Sequence, residues 1–153
     1  MTSNSLAVVT GGSRGLGFVV AKALKAAGNR VLIVSKDPVR AAKSAAEISC
    51  EYETVDFEDL TSTKSKFDEV LTKYGTPNIL VLAHGVMSEK MSKTLRTTTQ
   101  EWRRVMAINL DSTFIAVNTL APSMAEARNG RVIIFSACLG RMSGPGNTGG
   151  LAP

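Results

Sequence analysis

The chain has 153 residues, 44% apolar and 20% charged, which makes one ordinary globular domain and excludes a disordered or collagen-like polymer. Its net charge of +5 is unevenly spread: residues 1–46 carry seven basic groups and one acid, residues 47–69 eight acids and two lysines. Such a basic stretch either attracts phosphates, of a nucleic acid or of a small ligand, or is a solvated face. No apolar run approaches the roughly 18 residues of a membrane span, and residues 1–10 lack the basic start of a secretory signal. Cys50 and Cys138 stand far apart in no metal-like spacing and read as free thiols of a reducing compartment, the cytoplasm.

Residues 6–10, LAVVT, predict a first strand that stops at Gly11-Gly12. Leu16, Val19, Val20, Ala23, Leu24 and Ala27 recur at helical spacing and predict one apolar stripe, ended by Gly28. A second strand follows at residues 30–35, a helix opened by Pro38 at 38–47, and a weaker strand at 53–57. Residues 61–74 predict a helix capped by Thr61 or Ser62. Residues 79–84, ILVLAH, form a strand apolar throughout, as in parallel sheets covered on both faces. After a polar stretch at 86–98 comes a long helix from about Thr99 to Ala127, apolar around much of its circumference and bent at Pro122. Asn129-Gly130 ends it, and residues 131–136 are a fifth strand. This alternation builds an open parallel sheet with helices on both faces. Residues 139–153 hold no readable element.

Residues 10–17, TGGSRGLG, join the first strand to the first helix. A glycine-rich turn there offers a phosphate free N–H groups and the positive end of the helix dipole. Gly11 permits the tight turn, Gly15 the approach of a ligand, and Gly17 the packing of helix on strand. The spacing is Gly-x-x-x-Gly-x-Gly, and no Gly-Lys-Ser/Thr follows, which excludes a Walker loop.

TGGSRGLG resembles the Thr-Gly-x-x-x-Gly-x-Gly signature of the short-chain dehydrogenase/reductase family. Asp56 in TVDFEDL resembles the family's adenine-contacting Asp. WRRVMAINLDSTF, residues 102–114, resembles its long helix with an active-site Asn, here Asn109, and GRVIIFSACLG its fifth strand. The resemblance covers essentially all 153 residues. It implies a Rossmann-type doubly wound α/β sheet, incomplete in this chain, with about five strands in the order 3-2-1-4-5. Residues 1–153 would form a single NAD(P)-binding domain ending in the Gly/Pro-rich loop 139–153. The implied cofactor residues are Thr10, Gly11, Ser13, Arg14, Gly15, Leu16, Gly17, Ser35, Lys36, Asp56, Phe57, Ala83 and Gly85.

An acid at the end of the second strand accepts from a ribose 2′-hydroxyl and repels a 2′-phosphate. Here the strand ends VLIVSKD, with Ser35 where NAD-preferring members carry Asp, and Asp37 late for that place. Lys36 follows, and Arg14 precedes Gly15 in the loop. Two cations around a 2′-phosphate favour NADP over NAD.

The family transfers hydride between nicotinamide and a carbonyl or alcohol substrate, using Tyr, Lys, Ser and Asn for the proton and its relay. Asn109 matches the relay Asn. The strand-end pair is Ser136-Ala137, so Ala137 replaces the catalytic hydroxyl. Ser136 serves only if the strand end shifts by one residue, and Ser143 is a remoter candidate. The tyrosines are Tyr52 and Tyr74, and no Lys follows Lys93, so Tyr-x-x-x-Lys is missing. The expectation is a truncated chain, inactive alone; the alternative is a non-catalytic NADP-binding sensor or partner module. The family's Asn-Asn-Ala-Gly after the fourth strand reads Leu82-Ala83-His84-Gly85. The bracing asparagines are lost, and His84, the sole histidine, is either structural or an acid–base group. With 5% aromatics and no basic helix cluster, nucleic acid is not an expected partner. A homo-oligomer is implied for a complete chain, since the long helix commonly builds the family's interface.

Overall fold

Neighbouring side chains on a strand point to opposite faces of a sheet, so a strand apolar at every position must be covered twice. The computed structural model, which describes residues 5–88 and 94–137, shows this. The strands are β1 (Leu6–Thr10), β2 (Arg30–Ser35), β3 (Glu51–Thr54), β4 (Ile79–Leu82) and β5 (Arg131–Ile134). They form one sheet in the order β3-β2-β1-β4-β5, parallel at every pairing. Val8 lies opposite Leu32 on one side and Leu80 on the other. Leu6, Val8, Leu32 and Leu80 face one core, completed by Phe67 and Val70 of α3 (Leu60–Tyr74) and by Ala116, Leu120 and Met124 of α5 (Ser112–Glu126). Ala7, Val9, Ile33 and Val81 face the other, against Ala21 of α1 (Gly15–Ala26). Helix α2 (Pro38–Glu47) lies against β2 and β3.

Several elements differ from the sequence expectation, each for a local reason. The stripe proposed for α1 is only partly in phase: Leu16 and Val19 are 67% and 62% exposed, while Val20 and Leu24 pack half-buried against the core beside Phe18 and the buried Gly17 and Ala21. The buried positions, Gly17 and Ala21, are small because the helix starts pressed against the turn. β3 runs over Glu51–Thr54, earlier than expected; it ends where Asp56 Oδ1 accepts from the Glu58 N–H and turns the chain. Asp59, not Thr61 or Ser62, caps α3 by accepting from the Ser62 N–H at 2.9 Å. β4 and β5 stop at Leu82 and Ile134, so Ala83, His84, Phe135 and Ser136 lie past the strands. The long helix is interrupted: α4 (Thr99–Met106) passes into a π-helical turn, Ala107–Asp111, before α5. Its outer face leaves Trp102, Leu110 and Phe114 exposed, as are the side chains of β5 on both faces. Cys138, Ser143 and the expected loop 139–153 lie outside the described residues.

The β3 edge is held by charge. Burial pushes the Glu53 carboxyl up, but hydrogen bonds from Lys73, Tyr74 and Lys66, at 2.7, 2.7 and 3.2 Å, outweigh it and bring it down to about 2. A depressed acid stabilises the fold fully above its ordinary value of 4.5, and that stability is lost as pH falls from there through about 2. Glu53→Gln is therefore expected to unfold at a lower temperature than the parent at pH 7, with the gap closing by pH 2. Thermal melts at the two pH values check it.

Candidate functional site

In an open parallel sheet, ligands bind beyond the carboxyl ends of the strands, where the strand order reverses. Here that point is the end of β1, between β2 and β4. A cavity of about 730 Å³ opens there, a size suited to a nucleotide. Its wall includes Gly11, Ser13, Arg14, Gly15, Leu16 and Gly17 from the turn, Ser35 and Lys36 after β2, Asp56 and Phe57 after β3, and Ala83 and Gly85 after β4.

The glycines explain the turn. Gly11 has φ +66°, and a Cβ added there would lie 2.7 Å from the Ala83 carbonyl oxygen. A Cβ on Gly17 would lie 2.5 Å from the Gly11 carbonyl oxygen, so helix and turn touch backbone to backbone. Gly15, at φ +54°, has open space on its Cβ side. No side chain caps α1 at Arg14, which leaves its positive end facing the cavity.

Ser35 is not idle where an acid was lacking. Its hydroxyl lies 2.6 Å from that of Ser13, and Ser44 donates to the Ser13 carbonyl at 2.9 Å. Together they tie the turn to β2 and α2. Asp37 is spent: its carboxylate caps α2 at the Arg40 N–H and pairs with the Arg40 guanidinium, both at 3.0 Å. Lys36 Nζ lies 2.7 Å from Asp56. Burial raises the Asp56 carboxyl, but Lys36 and the Glu58 N–H outweigh it, and the net direction is down. Arg14 is exposed and makes no ion pair among the described residues.

Thr10 lies beneath the cavity and not on its wall. It is fully buried, with Oγ1 2.6 Å from His84 Nδ1 and accepting from the Ala83 N–H at 3.2 Å. His84, on the wall, stacks on Phe57 with ring centroids 4.0 Å apart. Burial pushes its imidazole down to about 4.

Asn109 sits in the π-helical turn and is 6% exposed. Its Oδ1 accepts from the Val86 N–H and its Nδ2 donates to the Val86 carbonyl, both at 2.8 Å. The amide is thus spent on the backbone after β4. The Asn109 carbonyl accepts from Thr113 Oγ1 at 3.0 Å, as the Ile108 carbonyl accepts from Ser112 Oγ at 2.6 Å. Hydroxyls one turn on satisfy carbonyls that the widened turn loosens. Ser136 is exposed beyond β5 and away from the cavity wall. Sequence reasoning missed Arg40, Val86, Arg104 and Ile108 on the wall. Arg40 had a signal: it follows the cap Asp37 by three residues, which returns it to the mouth of the cavity.

Residues 5–149 match the family model of the short chain dehydrogenases, and the chain belongs to that family. The 3-oxoacyl-acyl-carrier-protein reductase FabG of Chlamydia muridarum is 29% identical over 153 residues, 95% of this chain and 60% of its own length. The chain thus spans about three-fifths of that relative. A metagenomic short-chain oxidoreductase solved in complex with NADP is 26% identical with a TM-score of 0.86, covering 96% of this chain and 68% of its own. A structure described as ribose-5-phosphate isomerase from Brucella melitensis 16M reaches 0.87 at 26% identity, covering 94% and 55%. One fold carries differently described activities here, so the reaction must be argued from the site. Among the described residues no helix is long and apolar enough to cross a membrane, and no cluster of metal-binding side chains occurs.

Proposed function

We propose that residues 1–153 act as one NADP-binding domain, the cofactor-binding part of a cytoplasmic oxidoreductase that acts on a small carbonyl or alcohol. The observation that carries this reading is the adenosine end of the cavity. It presents Arg14 and Lys36, and at the end of β2 a serine bonded to Ser13 in place of a ribose-binding acid. The open Cβ side of Gly15 and the uncapped start of α1 fit a pyrophosphate. When bound, the nicotinamide supplies the hydride chemistry. This chain's residues seat the nucleotide: the turn takes the phosphates, Arg14 and Lys36 the 2′-phosphate, and Asp56 with Phe57 the adenine side. Lys36 must exchange Asp56 for the phosphate as it does so. Asn109 fixes the segment after β4 through Val86, next to Ala83 and Gly85 on the cofactor wall.

The test compares NADPH and NADH binding. The parent is expected to bind NADPH more tightly. Arg14→Ala should weaken NADPH roughly tenfold, the weight of one charge-assisted hydrogen bond, and leave NADH nearly unchanged. Tighter NADH binding by the parent would refute the NADP assignment, and equal losses would remove Arg14 from the 2′-phosphate site. A second reading, a cofactor-binding module without catalysis, is favoured by Ala137 at the place of the catalytic hydroxyl. Turnover of NADPH with aldehydes or ketones would reject it.

A further inference from the structure

The donors around His84 define its tautomer. Ser112 Oγ lies 2.6 Å from the Ile108 carbonyl, which can only accept, so the Ser112 proton goes there. Its oxygen then accepts from His84 Nε2 at 2.7 Å. On the other side Thr10 Oγ1 shares the Ala83 N–H, at 3.2 Å, with the Thr10 carbonyl. Its proton goes to Nδ1 at 2.6 Å in preference to the Val81 carbonyl at 3.4 Å. The ring is a neutral imidazole protonated at Nε2, with both nitrogens used. Phe57 stacks on it at 13° between ring planes.

This bridge joins parts far apart in the chain. Thr10 ends β1 and opens the glycine turn; Ser112 opens α5, three residues after Asn109; Phe57 follows Asp56 on the cavity wall. A backbone contact reinforces it, since the Cβ that Gly11 lacks would meet His84 Cα at 2.8 Å. We propose that His84 is a positioning residue of the cofactor site: its imidazole holds the start of the phosphate turn and Phe57 in register with the start of α5 and the π-helical turn before it that carries Asn109. The proposal rests on the reading of this cavity as an NADP site.

The experiment measures NADP⁺ binding by calorimetry to the parent and to His84→Phe, Thr10→Val, Ser112→Ala and the double variant Thr10→Val/His84→Phe. Ring ¹⁵N spectra of the parent are recorded alongside. His84→Phe keeps a ring for Phe57 and loses both hydrogen bonds. It is expected to bind NADP⁺ roughly tenfold more weakly, with little further loss on adding Thr10→Val, because the two act through one bond. His84→Gln, with one donor and one acceptor, is expected to restore part of the affinity. The spectra should show the Nε2–H tautomer, with no titration near the ordinary histidine value. Unchanged affinity in His84→Phe, or losses that add in full, would overturn the proposal, as would an Nδ1–H ring. If His84→Phe fails to fold, Ser112→Ala, which keeps the ring, decides: unchanged affinity there, with an unaltered tautomer, is also negative. A parent that binds no NADP⁺ refutes the cofactor reading itself and the positioning role with it, whatever the ring shows. A parent that binds, with affinity indifferent to residue 84, refutes only the role of His84.

Discussion

Gly17→Ala is expected to reduce NADPH affinity by at least about a hundredfold, roughly 2.7 kcal/mol, and to lower stability as well. The added methyl would sit 2.5 Å from the Gly11 carbonyl oxygen and 2.9 Å from its carbon. Both are backbone atoms, so no side chain can swing aside. Nor can the turn retreat, because the Ala83 carbonyl oxygen lies only 2.7 Å from where a Cβ on Gly11 would stand. The relief left is for α1 to move outward, carrying its N–H groups away from the seat of the phosphate. Overpacking of this kind costs about 1–3 kcal/mol in stability. Gly11→Ala meets a similar clash and adds the left-handed backbone cost of roughly 1–2 kcal/mol for an L-residue. Gly15→Ala is the informative control. It has φ +54° but nothing within 4 Å of its added Cβ, so it bears the backbone cost without the clash. NADPH titrations and urea unfolding of the three variants separate these effects. A Gly17→Ala protein that binds like the parent would contradict the contact between α1 and the turn.

What the sequence makes legible follows from the range of the interactions. Four of the strands can be read because each is a local apolar run, while β3, Glu51–Thr54, is not and falls earlier than its apolar residues suggest; the parallel direction follows from alternation with helices. The phosphate turn can be read because its geometry is made by glycines within eight residues of one another. The phase of α1 cannot, because Leu16 and Val19 look like core by type, while the closeness of Gly17 to Gly11 is what decides the buried face. The end of β3 is set by one side chain, Asp56, turning back on Glu58. The fates of Asn109 and His84 depend on partners far away in sequence: Val86 is 23 residues from Asn109, and Thr10 is 74 from His84. A short motif can name such a side chain but not its hydrogen bonds. The resemblance gives Asn109 a proton-relay role; that its amide is engaged with the backbone after β4 is visible only in the structure. Likewise Lys36 and Asp56, separate readings in the sequence, meet as one ion pair on the cavity wall.

Phe67→Ala is expected to destabilise the chain by about 3–5 kcal/mol, the usual cost of removing a buried aromatic ring. Phe67 is fully buried and heads the largest such side chains in the described residues. It enters from α3 the core that also holds strand residues Leu32 and Leu80 and, after β3, Val55 and Phe57. A cavity there loosens the sheet face that α3 and α5 share, and the total stability of a domain this size is only about 5–15 kcal/mol. Leu95, 98% exposed, provides the comparison: Leu95→Ala should stay within about 0.5 kcal/mol of the parent. Urea midpoints at unchanged slope read both. Phe67→Ala and Gly17→Ala then fail in different ways. Phe67→Ala should lose cofactor binding only as the folded fraction falls, so that saturating NADPH restores part of its unfolding midpoint through linkage. Gly17→Ala, whose defect lies in the seat itself, should gain almost nothing from the same addition. If NADPH instead rescues Gly17→Ala and leaves Phe67→Ala unmoved, the turn between β1 and α1 is not where the nucleotide binds.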